Sequence, residues 1–313
     1  MDAFLEKVTE INDAVNTWIW TDFGLYLLLA VGLILTVITG VFQITHLRHW
    51  WKNTIASVFK RNNTATKKTD KKSISQFQAL CTALAATVGT GNIAGVAAAI
   101  CIGGPGAVLW MWVAAFLGMM TNFSENVLGI FFRRKNKDGE WSGGAMYYLK
   151  DGVGKIKGLK WPATILAVLF AIFAILASFG IGNMGQVNKI TLNMESAFFS
   201  NIKWFIGDFN MINLIIGLVL LGLGALIIIG GLQRIAAVAE RVVPFMAVAY
   251  IILGLVVVGL HYDLIIPAFK SIFTHALGVK ALAGGATGAA LKLVIVQGGK
   301  RGVFSNEAGL GSS

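Results

Sequence analysis

Long apolar stretches recur along this chain, separated by short segments that hold nearly all of its charge. At about 18 or more apolar residues per crossing, the pattern predicts six full spans, near residues 23–45, 75–102, 106–132, 161–187, 211–231 and 242–260. A seventh begins in a glycine-rich stretch near residue 286 and runs to the end. Only helices and closed barrels satisfy their backbone polar groups in lipid, and these lengths suit helices. The expected fold class is therefore all-α, polytopic integral membrane. Residues 1–22 precede the first helix at 23–45, and a polar loop occupies 46–74. A set of five helices follows over 75–260, then a loop and a broken helix over 261–313.

Composition changes how the charge is read. The 313 residues are 56% hydrophobic and 13% charged, about half the charged fraction of a soluble domain. A net charge of +11 then reports membrane topology before any nucleic-acid partner. The segment 47–72 holds eight Lys and Arg against one acid, Asp70. The segment after the third span, RRKNKDGEWSGGAMYYLKDGVGKIKGLK, is again basic. Both belong in the cytoplasm by the positive-inside rule, which puts the N-terminus and the GGPG turn at 103–106 outside. Arg234 and Arg241 fall inside as required, whereas Lys292, Lys300 and Arg301 approach the last span from the wrong side. The acidic start MDAFLEKVTEINDAVNT lacks the basic region of a cleavable signal peptide.

Candidate chemistry is sparse. Cys81 and Cys101 lie twenty residues apart on one span, about 30 Å at helical rise, so they read as small packing residues rather than a disulfide. His46 and His49, beside Trp50 and Trp51, read as interfacial residues rather than metal ligands. No zinc-protease, paired-cysteine or nucleophile-elbow motif is present, so neither an enzyme nor a cofactor is expected.

The glycines carry more information. ATVGTGNIAG, residues 86–95, lies inside an uncharged run that extends from Lys72 to Glu125. A dinucleotide loop is excluded, because the spacing is GxGxxxG and no strand precedes it. Two readings stay open. Gly91 and Gly95 form a GxxxG pair suited to close helix packing. Alternatively the helix is broken, freeing carbonyls for a small cation and amides for a carboxylate at mid-membrane. A second glycine-rich polar stretch, GVFSNEAGLGSS at 302–313, favours the break, because paired interruptions at matching positions point to a transporter site. The first break opens a five-span set, and an odd number of spans makes any following copy inverted.

Glu125 is the only acid within the third span, and an intramembrane carboxylate suggests function. It either braces freed backbone amides or carries a coupled proton or ion. Asn183 and Gln186 are one turn apart on a single face, for a substrate's charged groups or for bonds between helices. Gly180, Gly182 and Gly185 are expected to let a neighbour approach them closely.

At these residues the chain resembles the bacterial and archaeal alanine/glycine:cation symporters. The motifs are ATVGTGNIAGVAAAI, GGPGAVLWMWVAAFLGM, GGAMYYL at 143–149 and the terminal RGVFSNEAGLGS. The resemblance implies the five-plus-five inverted-repeat fold of leucine/neurotransmitter:sodium symporters, preceded by one extra helix. It implies sodium-driven uptake of alanine or glycine across the cytoplasmic membrane. Thr87, Gly89, Thr90, Gly91, Asn183, Gln186, Phe304, Asn306 and Glu307 would then form the substrate set. Ala85, Thr87, Val88, Asn92 and Ser305 would form the cation set, with sodium the only metal and Glu125 the bracing acid. Phe304 would close over the substrate, and Glu307 would attract its ammonium group.

The family continues for several more helices, whereas this chain stops inside the seventh. Residues 1–313 alone are therefore expected to be a truncated product that is inactive in vesicles. Other readings are a proton-coupled transporter using Glu125 or Glu307, and a non-transporting membrane protein built on half of such a fold. The orientation is directly testable: a cysteine at Asn63 should resist a membrane-impermeant thiol reagent in intact cells. Ready labelling there would reverse the topology.

Overall fold

The computed structural model describes residues 2–54, 56, 74–137, 139, 141–202, 204–207, 209–277 and 287–312. Most of the basic segment, including Lys60, Arg61, Lys67, Lys68, Asp70, Lys71, Lys72 and the Asn63 position, lies outside the described residues, as does 278–286. Among the described residues, six helical stretches are long and apolar enough to cross a membrane, and the chain is an all-α, multi-pass membrane protein. They cover Phe4–Ile38, Gln76–Gly103, Ala107–Phe131, Lys160–Phe198, Met211–Ile228 and Gly231–Leu260.

In chain order the helices begin with α1 (Asp2–Thr17), α2 (Gly24–Ile38), α3 (Phe42–Thr45) and α4 (Leu47–Asn53). The broken span follows as α5 (Gln76–Thr87) and α6 (Thr90–Gly103), then α7 (Ala107–Phe131) and the short α8 (Ala145–Asp151). Next come α9 (Lys160–Ala177), α10 (Gly185–Phe198), α11 (Met211–Ile228) and α12 (Gly231–Leu260). The described chain closes with α13 (Ile265–Ala276) and α14 (Thr287–Asn306). Two small antiparallel hairpins lie in connections: β1 (Arg134–Lys135) with β2 (Trp141–Ser142), and β3 (Phe205–Ile206) with β4 (Phe209–Asn210).

Several boundaries differ from the sequence reading. The segment 1–22 is helical and joins α2 through a π-type turn at Trp18–Asp22. The first span ends at Ile38 rather than at 45, because Gly40 and Val41 take left-handed conformations. The polar stretch before residue 242, with Arg234 and Arg241, is the start of α12, and only a short turn at Ile229 and Gly230 separates it from α11. Within the loop expected after residue 260, α13 is an amphipathic helix that hydrophobic-run counting misses.

The contacts divide the chain into two units. One comprises Met1–Ala56, Gly91–Leu128 and Ala249–Ser313. Its centre is α14, which packs against α2, α6, α7 and α13. Leu25 of α2 is fully buried against Val296 and Val303. A Cβ at Gly299 would lie 3.2 Å from the Leu25 side chain, and one at Gly302 would lie 2.6 Å from Ala114 Cβ of α7. One at Gly298 would fall on the Ala107 carbonyl oxygen. Small residues at these positions let α14 lie directly on α7, the way helices associate when lipid removes a hydrophobic preference between neighbours. The Trp110 indole N–H donates to the Ala276 carbonyl at 3.2 Å, tying α7 to α13. Lys292, which fitted the topology rule poorly, pairs with Asp22 at 3.1 Å.

The other unit comprises Ser57–Thr90 and Gly129–Val248. Ser75 and Gln78 form a capping box at the start of α5, with two reciprocal bonds of 3.1 Å. Gln78 also donates to Glu240 of α12 at 2.8 Å. Cys81 is buried one turn on, beside Ala239 and Val243, while Cys101 in the first unit is exposed. Glu195 of α10 accepts from Asn210 at 2.6 Å and from Asn213 at 2.8 Å. Many apolar side chains of α11, among them Leu218 and Leu221, are exposed in the chain, as a surface covered by lipid would be.

The seam between α14 and α7 sets a stability test. Gly298→Ala gains about 1 kcal/mol of helix propensity but forces backbone apart, an overpacking cost of about 1–3 kcal/mol. It should lower the thermal midpoint of the purified protein in detergent. Gly222→Ala, which meets nothing within 4 Å, should leave the midpoint unchanged or raise it.

Candidate functional site

The expected break in the second span is present. α5 ends at Thr87, and Val88 leaves helical geometry at φ −86°, ψ 84° before α6 starts at Thr90. The Val88 amide still reaches back to the Leu84 carbonyl at 2.8 Å. The Gly89 amide instead donates to the Thr87 carbonyl at 3.1 Å, and the Thr90 amide to Gln186 Oε1 at 3.4 Å. The carbonyls of Ala85 and Ala86 thereby lose the amides that an unbroken helix would offer them. Oxygens released in this way suit a small hard cation.

Gln186 completes this part of the second unit. Its Oε1 also accepts the Thr90 hydroxyl at 2.9 Å, and a Cβ at Gly89 would stand 3.0 Å from its Nε2. Thr87 Oγ1 donates back to the Ala83 carbonyl at 3.1 Å, within its own helix. Asn183 is exposed, in a π-helical stretch at Ser178–Met184. Gln186, on α10, is half-buried. Gly180, Gly182 and Gly185 differ from expectation: among the described residues a Cβ on them would meet only backbone of the same continuous helical stretch, the Ala177 carbonyl oxygen at 4.0 Å from Gly182 and that of Gly180 at 3.8 Å from Gly185. They accompany the π turn rather than a close neighbour.

In the first unit, α6 packs against α14 along a row of small residues. Gly95, Ala99 and Gly103 are buried. A Cβ at Gly91 would lie 3.6 Å from the Phe304 ring, and one at Gly103 would lie 3.0 Å from Gln297 Cβ. Both readings of GTGNIAG therefore hold in adjacent stretches: the helix breaks at Val88 and Gly89, and packs closely from Gly91 onward. The Ser305 hydroxyl donates to Asn92 Oδ1, joining the first turn of α6 to the last turn of α14.

The last helix ends inside the second glycine-rich stretch. α14 ends at the half-buried Asn306, and Glu307 takes a left-handed conformation at φ 52°, followed by Gly309 and Gly311 with positive φ. A non-glycine residue in that region is costly and marks a constrained position. The Glu307 carboxylate accepts the Ser312 hydroxyl at 2.8 Å. Glu125 on α7 is 9% exposed, a buried acid in the same unit. The described residues hold no cluster of three or more potential metal-binding His, Cys, Asp or Glu residues.

A family model described as the sodium:alanine symporter family matches residues 5–313. The chain belongs to that family. The sodium/alanine symporter AgcS of Methanococcus maripaludis is 45% identical over 99% of this chain and 62% of its own length. The putative sodium/proton-dependent alanine carrier protein YrbD of Bacillus subtilis is 38% identical over 96% of the chain and 55% of its own length. The probable sodium/glutamine symporter GlnT of Bacillus subtilis is 36% identical over 100% of the chain and 58% of its own length. The chain thus spans less than two thirds of these curated relatives. The family is one of transporters, which agrees with the lack of any catalytic motif.

Two polar residues escaped the sequence reading. Glu240 lies just before the apolar run that starts at 242, so hydropathy does not mark it, although the S-x-x-Q pattern at 75–78 marks the helix start that it supports. Arg301 was noticed only as a topological misfit. Gln186 yields a test of the first break. Gln186→Ala removes the acceptor of the Thr90 amide and hydroxyl, so stability should fall by about 1 kcal/mol, read as a lower thermal midpoint. An unchanged midpoint would detach Gln186 from the break.

Proposed function

We propose that the protein containing this chain couples uptake of a small neutral amino acid, alanine or glycine, to sodium across the cytoplasmic membrane by alternating access. The Ser305–Asn92 hydrogen bond carries this reading. It places two neutral oxygen-bearing side chains together beside an interrupted helix, in a chain whose family and relatives are named for sodium and amino acids. In this proposal Asn92 and Ser305 face sodium, with the carbonyls of Ala85, Thr87 and Val88 as further candidate oxygens. With substrate bound, the amides around Gly89 and Gly91 meet its carboxylate, the Gly89 amide exchanging the Thr87 carbonyl for it while Gln186 holds Thr90. Phe304, Asn306 and Glu307 supply the rest of the substrate surface, and Glu125 braces the freed backbone. Residues 75–260 are the first repeat of a five-plus-five inverted fold, 261–313 open the second, and the N-terminus is external.

The names of the relatives motivate two comparisons, alanine against glutamine and sodium against protons. The test is uptake of labelled alanine by the intact protein in proteoliposomes, under a sodium or a proton gradient at fixed pH. Sodium-driven accumulation is expected. Asn92→Ala should weaken apparent sodium affinity about tenfold, the loss of one ligand worth about 1.4 kcal/mol, with a smaller effect on alanine affinity. Normal sodium dependence in that variant would remove Asn92 from the ion site. Accumulation driven by protons without sodium would replace the coupling ion.

A further inference from the structure

Arg301 is the residue left over. It is half-buried on α14, and none of the ion pairs among the described residues includes it; those are Arg134 with Asp151 and Lys292 with Asp22. The Glu307 carboxylate is engaged by Ser312 instead. The guanidinium lies on the α6 backbone at Gly95, in the space that a Cβ would fill, and 5.8 Å from the centroid of the Phe304 ring. A half-buried charge is costly to keep without a counter-charge beside it. Its place is specific. Gly95 follows Asn92 by three residues and Ser305 follows Arg301 by four, so on both helices the charge stands one turn from the Ser305–Asn92 pair.

We propose that Arg301 makes sodium binding at Asn92 and Ser305 depend on the carboxylate of the amino acid substrate. This rests on the function proposed above. Asn92 and Ser305 are neutral oxygen donors and add no negative charge. A sodium ion arriving alone puts a second positive charge near the guanidinium, in surroundings that screen far less than water. A zwitterionic amino acid brings a carboxylate that attracts both cations and offsets their repulsion. Sodium and substrate then bind as a pair, and the protein resists loading with sodium alone. Gly95 belongs to the device, because any side chain there would push the guanidinium off α6.

The experiment measures the affinity of the intact, purified protein for radiolabelled sodium, with and without saturating alanine. Alanine should tighten sodium binding about tenfold or more in the unmodified protein. Arg301→Gln should bind sodium alone about tenfold more tightly, and the effect of alanine should largely disappear. Arg301→Lys, which keeps the charge, should retain the dependence on alanine. A role in packing alone would not tighten binding. A folded Arg301→Gln protein with unchanged sodium affinity overturns the proposal, as does Arg301→Lys behaving like Arg301→Gln. Should Arg301→Gln not fold, Arg301→Cys, with Cys81 and Cys101 replaced, is modified by a neutral or a positively charged thiol reagent. Only the charged reagent should restore the dependence, and equal affinities after both overturn the proposal. An unmodified protein whose sodium affinity ignores alanine would instead overturn the proposed function.

Discussion

A helix in lipid gains little from burying one apolar face rather than another, since the surrounding tails are as apolar as its neighbours. Close fit must select the partner. In the first unit that fit is made at α14, where Gly298 and Gly302 allow contact with the α7 backbone and Gly299 receives Leu25. On the remaining face α14 meets α6 through Arg301, Phe304 and Ser305. The positions of the α6 residues relative to α14 follow from this fit, so the Ser305–Asn92 bond depends on glycines that never touch it.

The broken span answers a different requirement. Backbone groups at membrane depth cannot be left to water, so an interruption persists only where other groups take over. In the second unit the Gln186 side chain takes the Thr90 amide and hydroxyl, and the Gly89 amide turns back to Thr87. The amides are thus engaged while the carbonyls of Ala85 and Ala86 lose their helical donors. This asymmetry favours a cation as the group that completes the carbonyl side of the break.

Much of this was legible from residue types alone. The apolar runs located the six spans, because length and hydropathy suffice when lipid is the solvent, although the first ends early at Ile38, the fourth runs on to Phe198 and the sixth starts early at Gly231. GTGN marked the break between α5 and α6, and SNEAG the end of α14, since glycine and small polar residues are disfavoured in a lipid-embedded helix unless something there requires them. Other features carried no such mark. The amphipathic α13 is too short and too mixed to read as a span, and its role appears only in the Trp110 bond to Ala276. Gly180, Gly182 and Gly185 look like a packing face, yet they lie in and just after a π turn, and among the described residues they meet only backbone of that same stretch.

By itself, then, the sequence determined that this is a multi-pass helical membrane protein of the sodium:alanine symporter family, and where its helices break. Those properties are local or compositional: they depend on how each segment partitions into lipid and on motifs contiguous in the chain. Only the tertiary structure decided which polar residues meet. Asn92 and Ser305 are 213 positions apart, Gln78 and Glu240 are 162 apart, and Thr90 and Gln186 are 96 apart. The pairing of such distant residues is set by how helices rotate and slide against one another. That rotation depends on the small-residue seams at every contact together, and no single segment encodes it.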